Sequence, residues 1–143
     1  MNLYLDTACI AKCYLNEPDG KKVRKLVRSA TGVYSSAWCI VELACVFQRH
    51  IREGSITGEQ AARLRALFLE DVRNGVWVLF PVSDRLLFRI ESLIAALPPG
   101  VSLRAGDAIH LVSAQDAGVS EIWTNDRHLL GAAAHFGLSA RPV

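Results

Sequence analysis

Four acidic residues stand where this sequence has the means for chemistry: Asp6, Glu42, Asp107 and Asp126. Asp6 closes the apolar run Asn2–Leu5, and Asp126 follows the run Glu121–Thr124. Each could equally be the N-cap of the helix that comes next, since Asp is favoured there. Asp107 carries more information. Leu103, Leu111 and Ala114 lie four before, four after and seven after it, so this carboxylate interrupts an apolar stripe. Ala105, Ala108, Ile109 and Val112 make a second apolar stripe, which reads as a helix buried on two sides. A carboxylate buried there needs a cation, a set of hydrogen bonds or a proton, because leaving it unpaired costs several kcal/mol. A structural Asp satisfied by hydrogen bonds meets that need as well as a functional one. Glu42 is the weakest of the four on periodicity. It lies far around its helix from the stripe Ile40, Leu43, Ala44, Phe47 and Ile51, and only its place soon after a strand commends it. Four such acids brought together would repel one another and require a counter-charge. Hard oxygen ligands of this kind suit Mg²⁺ or Mn²⁺, which accept phosphate oxygens as further ligands.

The elements that must position them alternate. Strands are expected at Asn2–Leu5, Val33–Ser36, Val76–Phe80 and Glu121–Thr124, with a fifth, edge strand in Ser139–Val143, where Pro142 is tolerable. The run Val76–Phe80 reads as the clearest buried strand. Helices are expected at Thr7–Leu15, Lys21–Ala30 and Ala37–Arg52, and from Thr57, with Gln60 completing a capping box, to Val72. Three more follow: one capped by Ser83 and ended by Pro98-Pro99-Gly100, one capped by Ser102 and reaching Asp116, and one opened by Asp126. The fold class is therefore α/β, a parallel sheet of four to five strands flanked by helices as a three-layer sandwich, forming one domain over residues 1–143. In such sheets ligands bind beyond the carboxyl ends of the strands, which is where Asp6 and Asp126 fall.

The order of MNLYLDT, VELA around Glu42, RAGDAIHLVSA around Asp107 and WTNDRHLL around Asp126 resembles a PIN domain, and more closely the VapC-type toxins of bacterial toxin–antitoxin pairs. The likeness spans essentially the whole chain; no single motif is specific, and four in register carry it. It implies a PIN-like parallel sheet and an endoribonuclease that hydrolyses RNA with Mg²⁺ or Mn²⁺ on an acidic cluster. By this resemblance Asp6 and Asp107 match the principal metal ligands. Glu42 and Asp126 match the remaining acids, acting directly or through water, and Thr7 and Thr124 match hydroxyls beside them. It also implies a VapB-like antitoxin partner and a homodimer.

Arg104 and Arg127, each close in sequence to a site acid, could touch substrate phosphate or simply neutralise the acids. The cationic face Lys21, Lys22, Arg24, Lys25 and Arg28 could hold RNA backbone or be only a solvated surface. His110, three residues after Asp107, reads better as a core histidine, or as one that supports a ligand from behind, than as a ligand, and Trp38, Trp77 and Trp123 as core aromatics. Cys9, Cys13, Cys39 and Cys45 form no CxxC pair and read as small buried side chains in a reducing compartment.

Competing functions are a receiver-like phospho-acceptor, which would need an acid pair at strand one and a Lys at the last strand, and a non-catalytic RNA- or partner-binding module. GxSxG, GxxxxGK[ST] and GxGxxG are absent. The longest apolar runs, such as AWCIV and VWVLF, hold five residues, too few to span a membrane, and MNLYLD lacks the features of a signal peptide. A cytoplasmic protein is expected. The net charge of +2 hides a contrast. If the four acids share one pocket, 16 cations face only 10 acids elsewhere on the chain, a basic body around an acidic hole.

Overall fold

The computed structural model describes residues 1–143. It contains five parallel strands, β1 (Asn2–Leu5), β2 (Gly32–Ser36), β3 (Val78–Phe80), β4 (Glu121–Trp123) and β5 (Ser139–Arg141), in the order β3-β2-β1-β4-β5. The chain lays down β1, β2 and β3 in one direction, then crosses back to place β4 on the other side of β1. The strand order therefore reverses between β1 and β4, and the crevice at their carboxyl ends is the expected ligand position.

Side chains alternate across the strands, so one sheet supports two cores. Leu5 faces α1 (Thr7–Tyr14), α2 (Gly20–Ser29), α3 (Cys39–Arg52) and α4 (Gly58–Arg73), joining a cluster with Ile10, Val23, Leu43 and Phe68. Tyr4 faces the opposite way, toward α5 (Asp84–Ala95), α6 (Ala105–Asp116), α7 (Arg127–Ala132) and the 3₁₀ turn Ala133–Phe136, with Ile90, Leu111, Ile122 and Phe136. The three-layer α/β arrangement is the one expected. The α6 helix is buried without a break from Asp107 to Ala114, as its two apolar stripes require.

Local signals act where expected at several ends. Thr57 Oγ1 accepts from the Gln60 backbone N–H while the Gln60 side chain accepts from the Thr57 N–H, and Ser83 caps α5 through the Leu86 N–H. Four expectations are corrected. Ser102 does not cap α6; its hydroxyl bonds His128 Nδ1, and the helix begins instead where Asp107 reaches back to the Arg104 N–H. The run Val76–Phe80 is not a buried strand: only Val78–Phe80 is extended, at the sheet edge, with Val76 and Val78 exposed, while Trp77 turns inward to donate to Tyr14 Oη at 2.6 Å. A short apolar run does not distinguish these positions. The buried face of α3 is Cys39, Leu43 and Phe47; Ile40 and Ala44 are exposed. Of the cysteines, Cys9 and Cys39 are buried, Cys13 is half-buried, and Cys45 is exposed.

Thiol reactivity follows from that placement. Burial pushes the Cys39 thiol up to about 12 and the Cys13 thiol to about 11, so neither forms the reactive thiolate near neutral pH. Titration with a chromogenic disulfide reagent should release one equivalent promptly, from Cys45, and the rest only on unfolding; prompt release lost in a Cys45→Ser variant identifies it.

Candidate active site

The crevice between β1 and β4 is built by register. Leu5 pairs with Trp123, so the next residues, Asp6 and Thr124, are brought side by side. Asp6 is the N-cap of α1: its Oδ1 accepts the Cys9 N–H at 2.8 Å, and its Oδ2 accepts the Thr124 hydroxyl. Thr124 Oγ1 in turn accepts the Asp126 N–H at 3.0 Å. Asp126 caps α7, its Oδ1 accepting the N–H groups of His128 and Leu129. The capping role of both aspartates is therefore present, but it uses only one oxygen of each.

What distinguishes Asp6 is its surroundings. The residue is 4% exposed and has only neutral donors, an amide and a hydroxyl, with no cation paired to it. Burial raises its pKa, and the bonds from Thr124 and Cys9 oppose this without cancelling it. The other three acids each have a charged or chargeable partner. Arg104 donates to Asp107 through its backbone N–H at 3.1 Å, Nε at 3.0 Å and Nη2 at 3.2 Å, and the same Nη2 donates to Asp126 Oδ2 at 2.7 Å. Desolvation raises the Asp126 pKa, but the α7 amides and Arg104 outweigh it and leave the carboxyl lowered.

Glu42 reaches the same crevice from α3. Its Oε1 accepts the Thr7 hydroxyl at 2.8 Å and lies 2.6 Å from His110 Nε2, while His110 Nδ1 lies 2.8 Å from the buried Tyr4 hydroxyl. Desolvation again raises the pKa, and His110, Thr7 and Arg104 together bring it below the ordinary value. The α6 helix passes close enough that a Cβ on Gly106 would stand 3.2 Å from Glu42 Oε2 and 3.6 Å from Trp38 Nε1. Glycine there permits the close approach of α6 to α3.

All four acids therefore lie around the ends of β1 and β4 in two hydrogen-bonded sets: Asp6, Asp126 and Asp107 joined through Thr124 and Arg104, and Glu42 joined to Thr7 and His110. Arg127 does not join: it is exposed and bonds none of the acids. On α2, Lys22 pairs with Asp19 at 2.9 Å and Arg24 donates to the Lys12 carbonyl at 3.1 Å, so part of that cationic face is engaged locally. Three participants were not assigned from the sequence: Tyr4, Gly106 and Trp38. Trp38, expected in the core, is half-buried, on the wall of a groove of about 560 Å³ that also touches Thr7, Glu42, Arg49 and Arg104. Nothing in the one-dimensional pattern marks Tyr4 or Gly106, because their partners are distant in sequence.

The network also bears on metal binding. As the side chains stand, no three His, Cys, Asp or Glu groups are gathered closely enough to hold an ion. Asp107 and Asp126 are engaged by Arg104 instead, and Glu42 by His110. The donor chemistry nevertheless suits a hard divalent cation: the oxygens are carboxylates, and the most buried of them has no positive partner. Asp6 is thus a charge that the metal-free fold bears at a cost. Its raised pKa means the cost is present above the unfolded value and is relieved as pH falls through the folded one. Asp6→Asn should therefore raise the stability of the metal-free protein, by on the order of 1 kcal/mol or about 3 °C in Tm. Thermal unfolding in EDTA at pH 7 checks this; a lower Tm would contradict it.

A comparison with curated proteins returned no match. Solved structures do align. VapC20 of Mycobacterium tuberculosis, described as a toxin cleaving the sarcin–ricin loop, superposes with a TM-score of 0.68 at 15% identity, covering 91% of this chain and 94% of that one. VapBC2 of Rickettsia felis, bound to a DNA fragment from its promoter, gives 0.70 at 16% identity with 99% and 98% covered. FitAcB of Neisseria gonorrhoeae gives 0.69 at 16%, with 96% and 95% covered. At such identities the likeness speaks for the fold. A family model described as PIN domain matches residues 3–134, from within β1 to beyond β4 and including every acid of the crevice, and this chain belongs to the PIN domain family.

Proposed function

We propose that residues 1–143 form one PIN domain that hydrolyses RNA phosphodiester bonds with a divalent cation, Mg²⁺ or Mn²⁺, and acts in the cytoplasm as the toxin of a toxin–antitoxin pair. The observation that carries the reading is Asp6: a buried carboxylate without a cation, at the switch point of the sheet, with three further acids around it. Membership of the PIN family and the likeness to VapC20 and VapBC2 support the nuclease and toxin parts. No helix is long and apolar enough to cross a membrane.

In this reading Asp6 and Asp107 hold the cation, and Glu42 and Asp126 contribute directly or through water. When bound, the ion supplies a nucleophile near neutral pH and polarises the scissile phosphate. The remaining work falls to the chain itself. Thr124 and the Cys9 amide fix the rotamer of Asp6. Thr7 and His110 fix Glu42, with Tyr4 holding His110 from behind. Residues that orient ligating groups in this way matter nearly as much as the ligands. The groove beside Trp38, with Arg49 and Arg104 on its walls, gives an RNA strand a route to the acids.

An antitoxin partner fits a second surface. Ile40, Val41 and Leu69 are exposed beside a mostly apolar groove of about 400 Å³ between α3 and α4, unlike a solvated helix face. A second copy of the chain is the other partner expected.

Two tests follow. Purified protein incubated with structured RNAs should cleave with Mg²⁺ or Mn²⁺ and not with EDTA, and Asp6→Asn or Asp107→Asn should reduce the rate by at least ~100-fold. Cleavage that survives EDTA or both substitutions overturns the metal-nuclease reading; metal-dependent RNA binding without cleavage favours a non-catalytic module. Expression should arrest growth, with relief by a co-expressed neighbouring gene product, and harmless expression of an active enzyme would remove the toxin part alone.

A further inference from the structure

Arg104 occupies an unusual position. Its Nη2 lies between two carboxylates, 3.2 Å from Asp107 Oδ1 and 2.7 Å from Asp126 Oδ2, and its Nε lies 3.0 Å from Asp107 Oδ2. One guanidinium therefore spans two of the acids proposed to serve a metal. Its side chain is also 61% exposed, whereas that of Asp107 is 9% exposed. The charge is delivered from outside, on a long flexible stem, to carboxylates that are fixed from inside.

The fixing is independent of the guanidinium. Asp107 Oδ2 still accepts the Arg104 backbone N–H at 3.1 Å, and Asp126 Oδ1 still accepts two α7 amides. The Arg104 head can therefore swing into solvent without unmaking either helix start. Asp6 and Glu42 do not depend on it for a hydrogen bond. A monovalent fork of this kind neutralises two carboxylates only in part, and a divalent ion competes for the same oxygens with twice the charge.

We infer that Arg104 is the resident counter-ion of the acidic crevice, holding Asp107 and Asp126 until a divalent cation displaces its guanidinium, so that metal affinity is set by a competition internal to the chain. The inference rests on the metal-nuclease reading above and adds a positioning residue to it. It separates Arg104 from Arg127, which stands next to Asp126 in sequence yet bonds none of the acids.

The contrast between those two arginines makes the test. Mn²⁺ binding to the full chain is titrated by the loss of the free-ion signal in electron paramagnetic resonance, with no RNA present. Arg104→Met should bind Mn²⁺ about tenfold more tightly than the wild type, and Arg127→Met, which removes the same charge without a competing hydrogen bond, should change it by less than about twofold. Arg104→Lys, a point charge without the fork, should fall between. Equal affinities for the wild type and Arg104→Met overturn the inference, as does an equal gain in Arg127→Met, which would mark a general charge effect. Weaker binding in Arg104→Met also overturns it, making Arg104 a support of the bound ion. If the wild type and Arg104→Met both bind no Mn²⁺, the metal reading itself falls and takes this inference with it; circular dichroism distinguishes that result from misfolding.

Discussion

Asp6 sits at the end of the central strand, buried where desolvation disfavours its charged form, and provided only with neutral hydrogen-bond donors. The rest of the structure answers to that arrangement. Register places Thr124 against one oxygen, α1 places an amide against the other, and three further acids approach from α3, α6 and the start of α7. Each of those three is bonded to a charged or chargeable side chain, while Asp6 is bonded only to a hydroxyl and an amide. A fold that keeps such a charge in its interior gives up stability at one point, and sites of function are where that concession is expected.

Two sets of bonds organise the crevice, and they differ in kind. The Tyr4–His110–Glu42–Thr7 chain is mostly buried, tying β1, α1, α3 and α6 together through side chains of which only Glu42 is half-exposed. The Arg104–Asp107–Asp126 bridge is peripheral, made by a side chain mostly in water. The first set reads as orientation, because its members have nowhere else to go. The second reads as occupancy, because the guanidinium can leave while the carboxylates stay where backbone amides hold them.

How much of this was legible in the sequence depended on range. Asp107 could be singled out because a carboxylate broke an apolar stripe within a single helix. Asp6 and Asp126 could be placed at the sheet edge because each followed a strand. The alternation of strands and helices gave the α/β class, and the switch-point rule then pointed to the crevice between β1 and β4. Glu42 was poorly legible for a specific reason. Apolar spacing puts Ile40 and Ala44 on the core stripe, whereas the buried face is Cys39, Leu43 and Phe47; Glu42, about 60° from Cys39 around the helix, borders that face. Once Ile40 is seen as exposed, the Glu42 carboxylate faces inward and the objection to it disappears. Gly106 and Tyr4 were not legible at all, since what they do depends on α6 meeting α3 and on a bond spanning 106 residues. Similarly, Ser102 carried a sound capping signal but lost the position to Asp107, whose carboxylate reaches the Arg104 amide.

The central claim is that the uncompensated charge of Asp6 is a seat for a divalent cation. Crystals equilibrated with Mn²⁺ and measured at the manganese absorption edge test it directly, because the anomalous signal locates the ion without assuming a reaction. The account predicts an anomalous peak in contact with the Asp6 carboxylate and with Asp107. A peak elsewhere on the molecule with Asp6 still bonded only to Thr124 and the Cys9 amide, or no peak at saturating Mn²⁺, would contradict it.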